Sequence, residues 1–258
     1  MDQWPKVSVS VVSHGQIGLV TDLLRDLAQY SAASVAEVLL TINIPETLPK
    51  VWTEYPFALR LIQNSDPHGF AFNHNNAAAK AKGSFFCILN PDVRFHQDVF
   101  GGLMSALEQD HSLGLVAPTV VNAAGEIEDS VRYFPTPWEM MGKLFLSRRS
   151  RRFAAGPGNI AYPDWVAGMF MLMRMTDYRA MQGLDEKFFL YYEDVNLCAR
   201  MWLSGRRVGW LVNLSVEHDA RRDSHRQFRY LWWHLSSMLR FFTSAVFWKA
   251  IIFKRSQS

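Results

Sequence analysis

Cysteine is scarce in this chain of 258 residues, which contains only Cys87 and Cys198. Neither belongs to a Cys-x-x-Cys pair, so the sequence argues against a cysteine-based zinc site and against a fold held by disulfides. The G-x-G-x-x-G and P-loop motifs are also missing, which argues against a dinucleotide or nucleoside triphosphate site of those types. We expect two buried thiols in a reducing compartment.

Long apolar runs and strong net charge are absent too. No uncharged apolar run reaches the ~18 residues of a membrane-spanning helix, and residues 1–5 do not begin a signal peptide. The formal net charge is only +3 and no nucleic-acid-binding motif is present, so we expect no nucleic-acid partner. These absences predict a cytoplasmic protein, or one that is peripheral on the inner face of the cytoplasmic membrane.

Positive charge is nevertheless unevenly distributed, because it gathers in clusters in the second half of the chain. The clustered residues are Arg148, Arg149, Arg151, Arg152, Arg206, Arg207, Arg221, Arg222, Arg226, Arg229, Lys254 and Arg255. Such clusters suit phosphate groups or an anionic membrane surface. The alternative is an ordinary solvated basic face.

The pattern of strands and helices predicts an α/β fold. Apolar or alternating segments rich in β-branched residues predict strands at 6–12, 37–42, 59–62, 85–89, 115–118, 164–173 and 209–212. Pro118 is expected to end its strand. Helical spacing between several of these strands indicates a mostly parallel, Rossmann-like sheet flanked by helices, with right-handed crossovers. We expect residues 1–227 to form this domain.

The segment Phe85–Val93 is the most informative in the chain. Five apolar residues run directly into Asn90, Pro91 and Asp92, as in a strand that is buried on both faces and ends at a proline. Asp92 is then at the carboxyl end of a central strand, where open α/β sheets bind ligands. Its carboxylate suits Mg2+ or Mn2+ on a diphosphate. The alternative is a simple Asx turn.

Asparagine is unusually dense from Asn64 to Asn76, just before an alanine-rich helix. Asparagine at a helix start caps backbone N–H groups, and the alternative is polar contact with a sugar or a nucleotide. Later in the chain, Glu193 and Asp194 lie at the start of a helix that is predicted over 195–204. The helix dipole favours their ionised forms, so either could act as a general base, or both could serve only as capping residues.

The last third of the chain adds a histidine and an aromatic segment. His218 follows the final predicted strand and could complete a metal site with Asp92, although a single histidine is more often structural. Residues 228–258 alternate aromatic and apolar side chains with lysine and arginine, as in an amphipathic helix that lies on a membrane surface. The alternative is a helix that packs on the domain or on a second subunit, as in a homodimer.

These motifs, in this order, resemble family 2 glycosyltransferases with the GT-A fold. The resemblance spans nearly the whole chain. It includes Val9–Gly15, Asn64 with Gly69–Ala71 and Asn75–Asn76, Leu89–Asp92 as a variant of the DxD metal motif, Tyr192–Arg200, and His218 with Ser224. More narrowly, the segments 130–135, 164–171 and 233–235 resemble bacterial dTDP-rhamnosyltransferases of O-antigen and cell-wall polysaccharide assembly. Those enzymes move L-rhamnose from dTDP-β-L-rhamnose to a GlcNAc-diphosphate-polyprenol.

The resemblance implies a set of site residues. Donor binding is expected at Ser13, His14, Gly15, Asn43, Asn64, Gly69, Phe70, Asn75, Asn90 and Asp92. Acceptor binding is expected at Trp165, Gly168 and Arg132. Asp92 and His218 would hold Mg2+ or Mn2+. Asp194 would be the catalytic base of an inverting transfer, with Glu193 orienting it or contacting the acceptor.

Three positions depart from the family pattern. Asn43 follows the second strand where an aspartate is usual, Asn90 replaces the first aspartate of DxD, and Asn196 replaces a second helix aspartate. The changes at Asn90 and Asn196 leave open a non-catalytic binding scaffold that kept the GT-A shape. Among enzymes, a hexosyltransferase of the same family that uses a UDP-sugar is also an alternative.

Overall fold

A computed structural model describes residues 6–49, 55–135, 153–218 and 228–255. The strands are β1 (Val7–Ser13), β2 (Val35–Ile42), β3 (Ala58–Gln63), β4 (Phe85–Leu89), β5 (Val93–Arg94), β6 (Leu113–Val121), β7 (Val131–Arg132), β8 (Ile160–Ala161), β9 (Trp165–Val166), β10 (Phe170–Arg174) and β11 (Arg207–His218). The helices are α1 (Ile17–Tyr30), α2 (Phe70–Lys80), α3 (Phe100–Gln109), α4 (Met175–Ala180), α5 (Glu193–Leu203), α6 (Phe228–Thr243) and α7 (Ala245–Arg255). The basic cluster at 148–152, the arginines at 221–226 and Ser224 lie outside the described residues.

Nine of the strands in the described ranges form one mixed sheet, in the order β3-β2-β1-β4-β10-β6-β11-β5, with β8 paired to β11. Strands β1 to β4 are mutually parallel, and β6 is parallel to β11. Strand β10 is antiparallel to both β4 and β6. The predicted mostly parallel sheet is therefore confirmed, with β10 reversed beside its centre and the short strands β5 and β8 antiparallel to β11.

Strands β6 and β11 are longer than the sequence predicted. The prediction that Pro118 ends β6 is wrong, because the strand continues to Val121. Pro118 lies opposite Leu211, where the register between β6 and β11 shifts before Ser215. A missing N–H is tolerated at such an irregularity. Strand β11 continues to His218, which delivers this histidine to the carboxyl edge of the sheet.

Hydrophobic layers cover both faces of the sheet. Helices α1 and α3 pack on one face through residues such as Leu23, Leu27 and Leu103. Helices α2 and α5 cover the other face, and Phe241 and Phe247 of α6 and α7 belong to that same cluster. The C-terminal segment is thus two helices rather than one, and its inner side shares a core with α5.

Within the described ranges, no single helix is long and apolar enough to cross a membrane. The consecutive segments Tyr230–Thr243 and Ala245–Lys254 do meet that length and composition together, with a bend of 63° between them.

Candidate active site

Asp92 and His218 come together because β5 pairs with β11. Strand β4 ends at Leu89, and after three intervening residues the chain forms β5, which is antiparallel to the end of β11. In that pairing Val93 lies opposite His218. The preceding residue, Asp92, therefore places its Oδ2 atom 3.2 Å from His218 Nε2. The predicted pairing of these two side chains is present in the structure.

A second carboxylate holds the other side of the His218 ring. Glu128 Oε2 lies 2.7 Å from His218 Nδ1. The hydrogen bond to Asp92 and the contacts with Glu128 outweigh burial and raise the pKa of His218 to about 9. Sequence reasoning missed Glu128, because it lies in a turn-rich segment without periodicity and carries no motif.

The donor atoms at this edge fit a divalent cation. Asp92 Oδ1 is buried and has no hydrogen-bond partner, and the neighbouring imidazole is a nitrogen donor that suits Mn2+. The described residues contain no group of three or more histidine, cysteine, aspartate or glutamate side chains arranged as a metal site. Two protein donors are nonetheless typical where substrate phosphates and water supply the remaining ligands.

An amide network closes the ends of β1, β2 and β3. Asn64 Nδ2 donates to Asn43 Oδ1 at 2.8 Å and to Asn73 Oδ1 at 2.7 Å. Asn43 Nδ2 lies 3.0 Å from His14 Nδ1 and donates to the His68 carbonyl. The predicted residues His14, Asn43 and Asn64 are thus brought together at the carboxyl edge. These hydrogen bonds join the side chains of Asn43, Asn64 and Asn73 and the ring of His14 into one network.

Glu46 is a further residue at this edge that the sequence did not reveal. Its carboxylate accepts hydrogen bonds from the Gly15 and Ile17 backbone N–H groups, both at 2.9 Å. Ser13 Oγ accepts a bond from the Gln16 N–H group. The N-terminus of α1, a favourable place for negative charge, is therefore already capped by a carboxylate from the loop after β2.

Gly69 and Phe70, at the start of α2, contact the segment that precedes α5. The Phe70 N–H group donates to the Phe189 carbonyl at 2.9 Å. A Cβ atom on Gly69 would lie 2.5 Å from that carbonyl oxygen, so only glycine allows this close approach. The Phe70 ring lies beside Gly168 on the other side.

Asn75, which is also predicted to bind the donor, does not join the network of His14, Asn43 and Asn64. Its amide donates to the Leu184 carbonyl and to Glu186, and its oxygen accepts from Tyr178. Asn75 is two positions beyond Asn73, so it lies on a different side of α2. Its observed contacts anchor the loop before α5.

Glu193 and Asp194 are presented by a strained turn. Tyr191 and Tyr192 both have left-handed backbone angles, with φ of 70° and 68°. Such angles are uncommon and costly for large side chains, and they cluster at functional sites. Asp194 Oδ2 accepts from the Gly168 N–H group at 2.9 Å, and Oδ1 accepts from the Val195 N–H group at 2.7 Å. The strained turn thus fixes the Asp194 carboxylate at the start of α5.

The two carboxyl groups differ in their surroundings. Glu193 is buried, and its Oε2 atom has no hydrogen-bond partner. Burial, and then the charge of Asp194, raise the pKa of Glu193 well above its usual value. Burial also raises the pKa of Asp194, but the Gly168 and Val195 N–H groups and the charge of Arg132 oppose that shift. Asp194 is therefore the more readily ionised group, and it keeps some solvent exposure.

The residues predicted for the acceptor lie around Asp194. Arg132 and Trp165 are opposite each other in the β7–β9 pair, and the guanidinium lies 5.4 Å from the centre of the indole ring. The Trp165 Nε1–H group donates to the Tyr133 carbonyl. Gly168 contacts Asp194 through its N–H group. Arg132, Trp165, Gly168 and Asp194 thus form one continuous patch.

The segment that contains Asp92 and the carboxylate of Asp194 are both bonded to the backbone of two consecutive residues, Gly168 and Met169. The Asn90 N–H group donates to the Met169 carbonyl at 2.9 Å, while the neighbouring Gly168 holds Asp194. The segment before β10 therefore connects the chain next to Asp92 with the patch that contains Asp194. A nucleotide diphosphate at Asp92 and a hydroxyl at Asp194 can share this edge of the sheet.

Comparison with curated proteins identifies relatives by sequence. The chain is 26% identical over 248 residues to the rhamnosyltransferase WbbL of Escherichia coli K12, which covers 91% of this chain and 92% of that protein. It is 24% identical over 150 residues to the N-acetylglucosaminyl-diphospho-decaprenol L-rhamnosyltransferase of Mycobacterium tuberculosis. That match spans 54% of this chain and 48% of the mycobacterial enzyme. No family model matches the chain.

Comparison with solved structures identifies the fold. GalNAc-T7 bound to UDP, GalNAc and Mn2+ superposes with a TM-score of 0.64 at 15% identity, over 83% of this chain and 43% of that one. The mannosyltransferase PcManGT of Pyrobaculum calidifontis, with GDP-mannose and Mn2+, gives 0.60 at 14% identity, over 93% and 65%. The comparisons thus confirm the resemblance that the motifs predicted, and the protein is a glycosyltransferase with the GT-A fold that is related to bacterial rhamnosyltransferases.

Proposed function

We propose that this enzyme transfers L-rhamnose, with inversion, from dTDP-β-L-rhamnose to a GlcNAc-diphosphate-polyprenol in O-antigen or cell-wall polysaccharide synthesis. The names of the bacterial relatives support the sugar and the acceptor. The observation that carries the proposal is the carboxyl edge of the sheet, where Asp92 lies beside His218 and where residues 168–169 bond both the Asp194 carboxylate and the Asn90 N–H group.

The donor is proposed to bind along the carboxyl ends of β1 and β4. Its nucleoside would lie near His14, Gly15, Asn43 and Asn64, and its diphosphate near Asp92. Asp92 and His218 would hold Mg2+ or Mn2+, which neutralises charge on a leaving diphosphate. The buried, unpartnered Oδ1 atom of Asp92 supports this assignment.

Asp194 is proposed as the general base. It takes the proton of the acceptor hydroxyl while the hydroxyl oxygen attacks C1 of the sugar from the face opposite the diphosphate. The new glycosidic bond forms as the C1–oxygen bond to dTDP breaks. Two backbone N–H groups orient the Asp194 carboxylate and favour its ionised form, whereas burial favours the protonated form of Glu193 behind it. Arg132 and Trp165 would border the acceptor.

A lipid-linked acceptor requires access to a membrane surface. The outward side of α6 and α7 exposes large apolar side chains, at Leu231, Trp232, Leu235, Leu239, Trp248 and Ile252. Arg240 and Lys249 are exposed on the same helices. An apolar face beside basic residues is typical of helices that lie in the headgroup region. We propose that this face holds the enzyme peripherally on the inner side of the cytoplasmic membrane.

The direct test measures sugar transfer to a synthetic GlcNAc-diphosphate-lipid from a panel of dTDP-, UDP- and GDP-sugars, with Mg2+ or with EDTA. We expect transfer from dTDP-rhamnose alone, and its loss in EDTA. Transfer from a UDP-sugar instead would favour the hexosyltransferase alternative, which UDP in a related fold also suggests. Activity that survives EDTA would contradict the metal role of Asp92 and His218.

A further inference from the structure

The backbone of Glu128 is held by hydrogen bonds that are independent of the contact its side chain makes with His218. It follows a tight turn after β6, in which the Asn122 N–H group donates to the Glu126 carbonyl at 2.9 Å. The Glu128 N–H group donates to the Val120 carbonyl at 2.8 Å, and the Ser130 N–H group donates to the Glu128 carbonyl at 2.9 Å. The Glu128 carboxylate is therefore presented to His218 from a rigid position.

The His218 ring is gripped from both sides. Glu128 Oε2 is 2.7 Å from Nδ1, and Asp92 Oδ2 is 3.2 Å from Nε2. The ring is also largely enclosed, with 13% of the side chain exposed. Contacts on both nitrogens fix the plane of the imidazole as well as its position. Of the two nitrogens, Nε2 is the one on the side of Asp92 and its unpartnered Oδ1 atom.

We propose that Glu128 is a positioning residue for the metal site. By accepting a hydrogen bond from Nδ1, it aims Nε2 of His218 at the cation that Asp92 also binds. Metal-binding histidines generally donate their second ring N–H to a carboxylate or carbonyl, and that partner sets the ring orientation and raises ligand basicity. The inference rests on the proposed metal site, which it extends by one residue that does not itself touch the metal.

The same strand provides a matched control. Glu217 precedes His218 and places its Oε2 atom 2.9 Å from His96 Nε2. This is also a histidine–carboxylate pair, but His96 is 68% exposed and contacts neither Asp92 nor His218 in the observed hydrogen bonds. Glu217→Gln therefore removes the same formal charge as Glu128→Gln without releasing the His218 ring.

The test is Mn2+ binding to the full chain in the presence of dTDP, with free Mn2+ measured by electron paramagnetic resonance. We compare the wild type with Glu128→Ala, Glu128→Gln and Glu217→Gln, and record thermal unfolding of each without metal. Loss of a metal-positioning carboxylate usually costs about 10- to 100-fold in metal affinity. We expect that loss for Glu128→Ala, a smaller loss for Glu128→Gln, which keeps an acceptor oxygen, and wild-type affinity for Glu217→Gln.

Each outcome decides between the inference and the site on which it rests. Wild-type Mn2+ binding that is unchanged in both Glu128 variants overturns the role of Glu128 and leaves Asp92 and His218 as ligands. A wild type that binds no Mn2+ overturns the metal site and the inference together. If Glu128→Ala fails to fold, the near-isosteric Glu128→Gln decides, and equal losses in Glu128→Gln and Glu217→Gln also count against the inference.

Discussion

Replacing Asp194 with asparagine tests the assignment of the base most directly. The wild-type carboxylate accepts one backbone N–H group on each oxygen, from Gly168 at 2.9 Å and from Val195 at 2.7 Å. An asparagine has a single acceptor oxygen, so one of these N–H groups would face an amide N–H2 group. Leaving a buried donor without its partner costs about 1–3 kcal/mol of stability.

The effect on catalysis is expected to be larger than the effect on stability. Loss of a general base lowers a rate by about 100- to 10,000-fold. The pH dependence provides a second readout. The pKa of Asp194 is raised by burial and the base must be ionised, so wild-type kcat/KM should fall as the pH falls through a value above that of an ordinary aspartate. The variant should lose that acidic limb.

The assay is rhamnose transfer to a GlcNAc-diphosphate-lipid over a range of pH, together with urea unfolding of each protein. Asp185→Asn is the matched control, because Asp185 Oδ1 accepts the Lys187 N–H group in an exposed turn that asparagine also supports. Asp185→Asn should keep both the rate and the pH profile. An Asp194→Asn variant with wild-type rates, or with an unchanged acidic limb, would refute the assignment.

Three further predictions concern neighbouring features. Glu193→Gln should become more stable relative to the wild type as pH rises, measured by urea midpoints at acidic and alkaline pH. The pKa of Glu193 is raised in the folded protein, so the stability of the wild type falls as this buried group ionises. Glutamine does not ionise, so the variant does not lose that stability. Gly69→Ala should cost about 1–3 kcal/mol in urea unfolding, since its methyl group would lie 2.5 Å from the Phe189 carbonyl oxygen; an unchanged midpoint would contradict this packing. Trp232→Ala should weaken binding to anionic vesicles in a flotation assay, whereas Ser236→Ala on the same exposed side should not; equal binding by both would refute the membrane face.

The general plan of the fold could be predicted because it depends on local patterns. The buried run Phe85–Leu89 and the proline after it set the central strand and placed Asp92 at its end. The extent of β6 and β11 could not be predicted in this way, because Pro118 is tolerated only where the partner strand shifts register. The direction of β10 was likewise set by tertiary pairing with β4 and β6.

The candidate site shows the same division. Asp92, His218 and Asp194 could be named because strand ends and helix starts mark them in the sequence. Glu46 and Glu128 could not, since each lies in an irregular loop and acts through a contact about 30 or 90 residues away in the chain. Asn75 had the right neighbours in sequence, but the helical repeat turns its side chain toward the 184–186 loop.

The packing of the last two helices has a consequence for how the enzyme can be prepared. Phe241, Phe247 and Ala250 are almost completely buried in the cluster that also contains Leu197 of α5. The Ser237 hydroxyl donates to the Leu190 carbonyl, just before the strained tyrosines, and Lys254 Nζ lies 2.9 Å from Asp164 Oδ1. A version shortened before α6 would therefore open the core beneath α5. Polar substitutions confined to the outward side of α6 and α7 would leave this core intact.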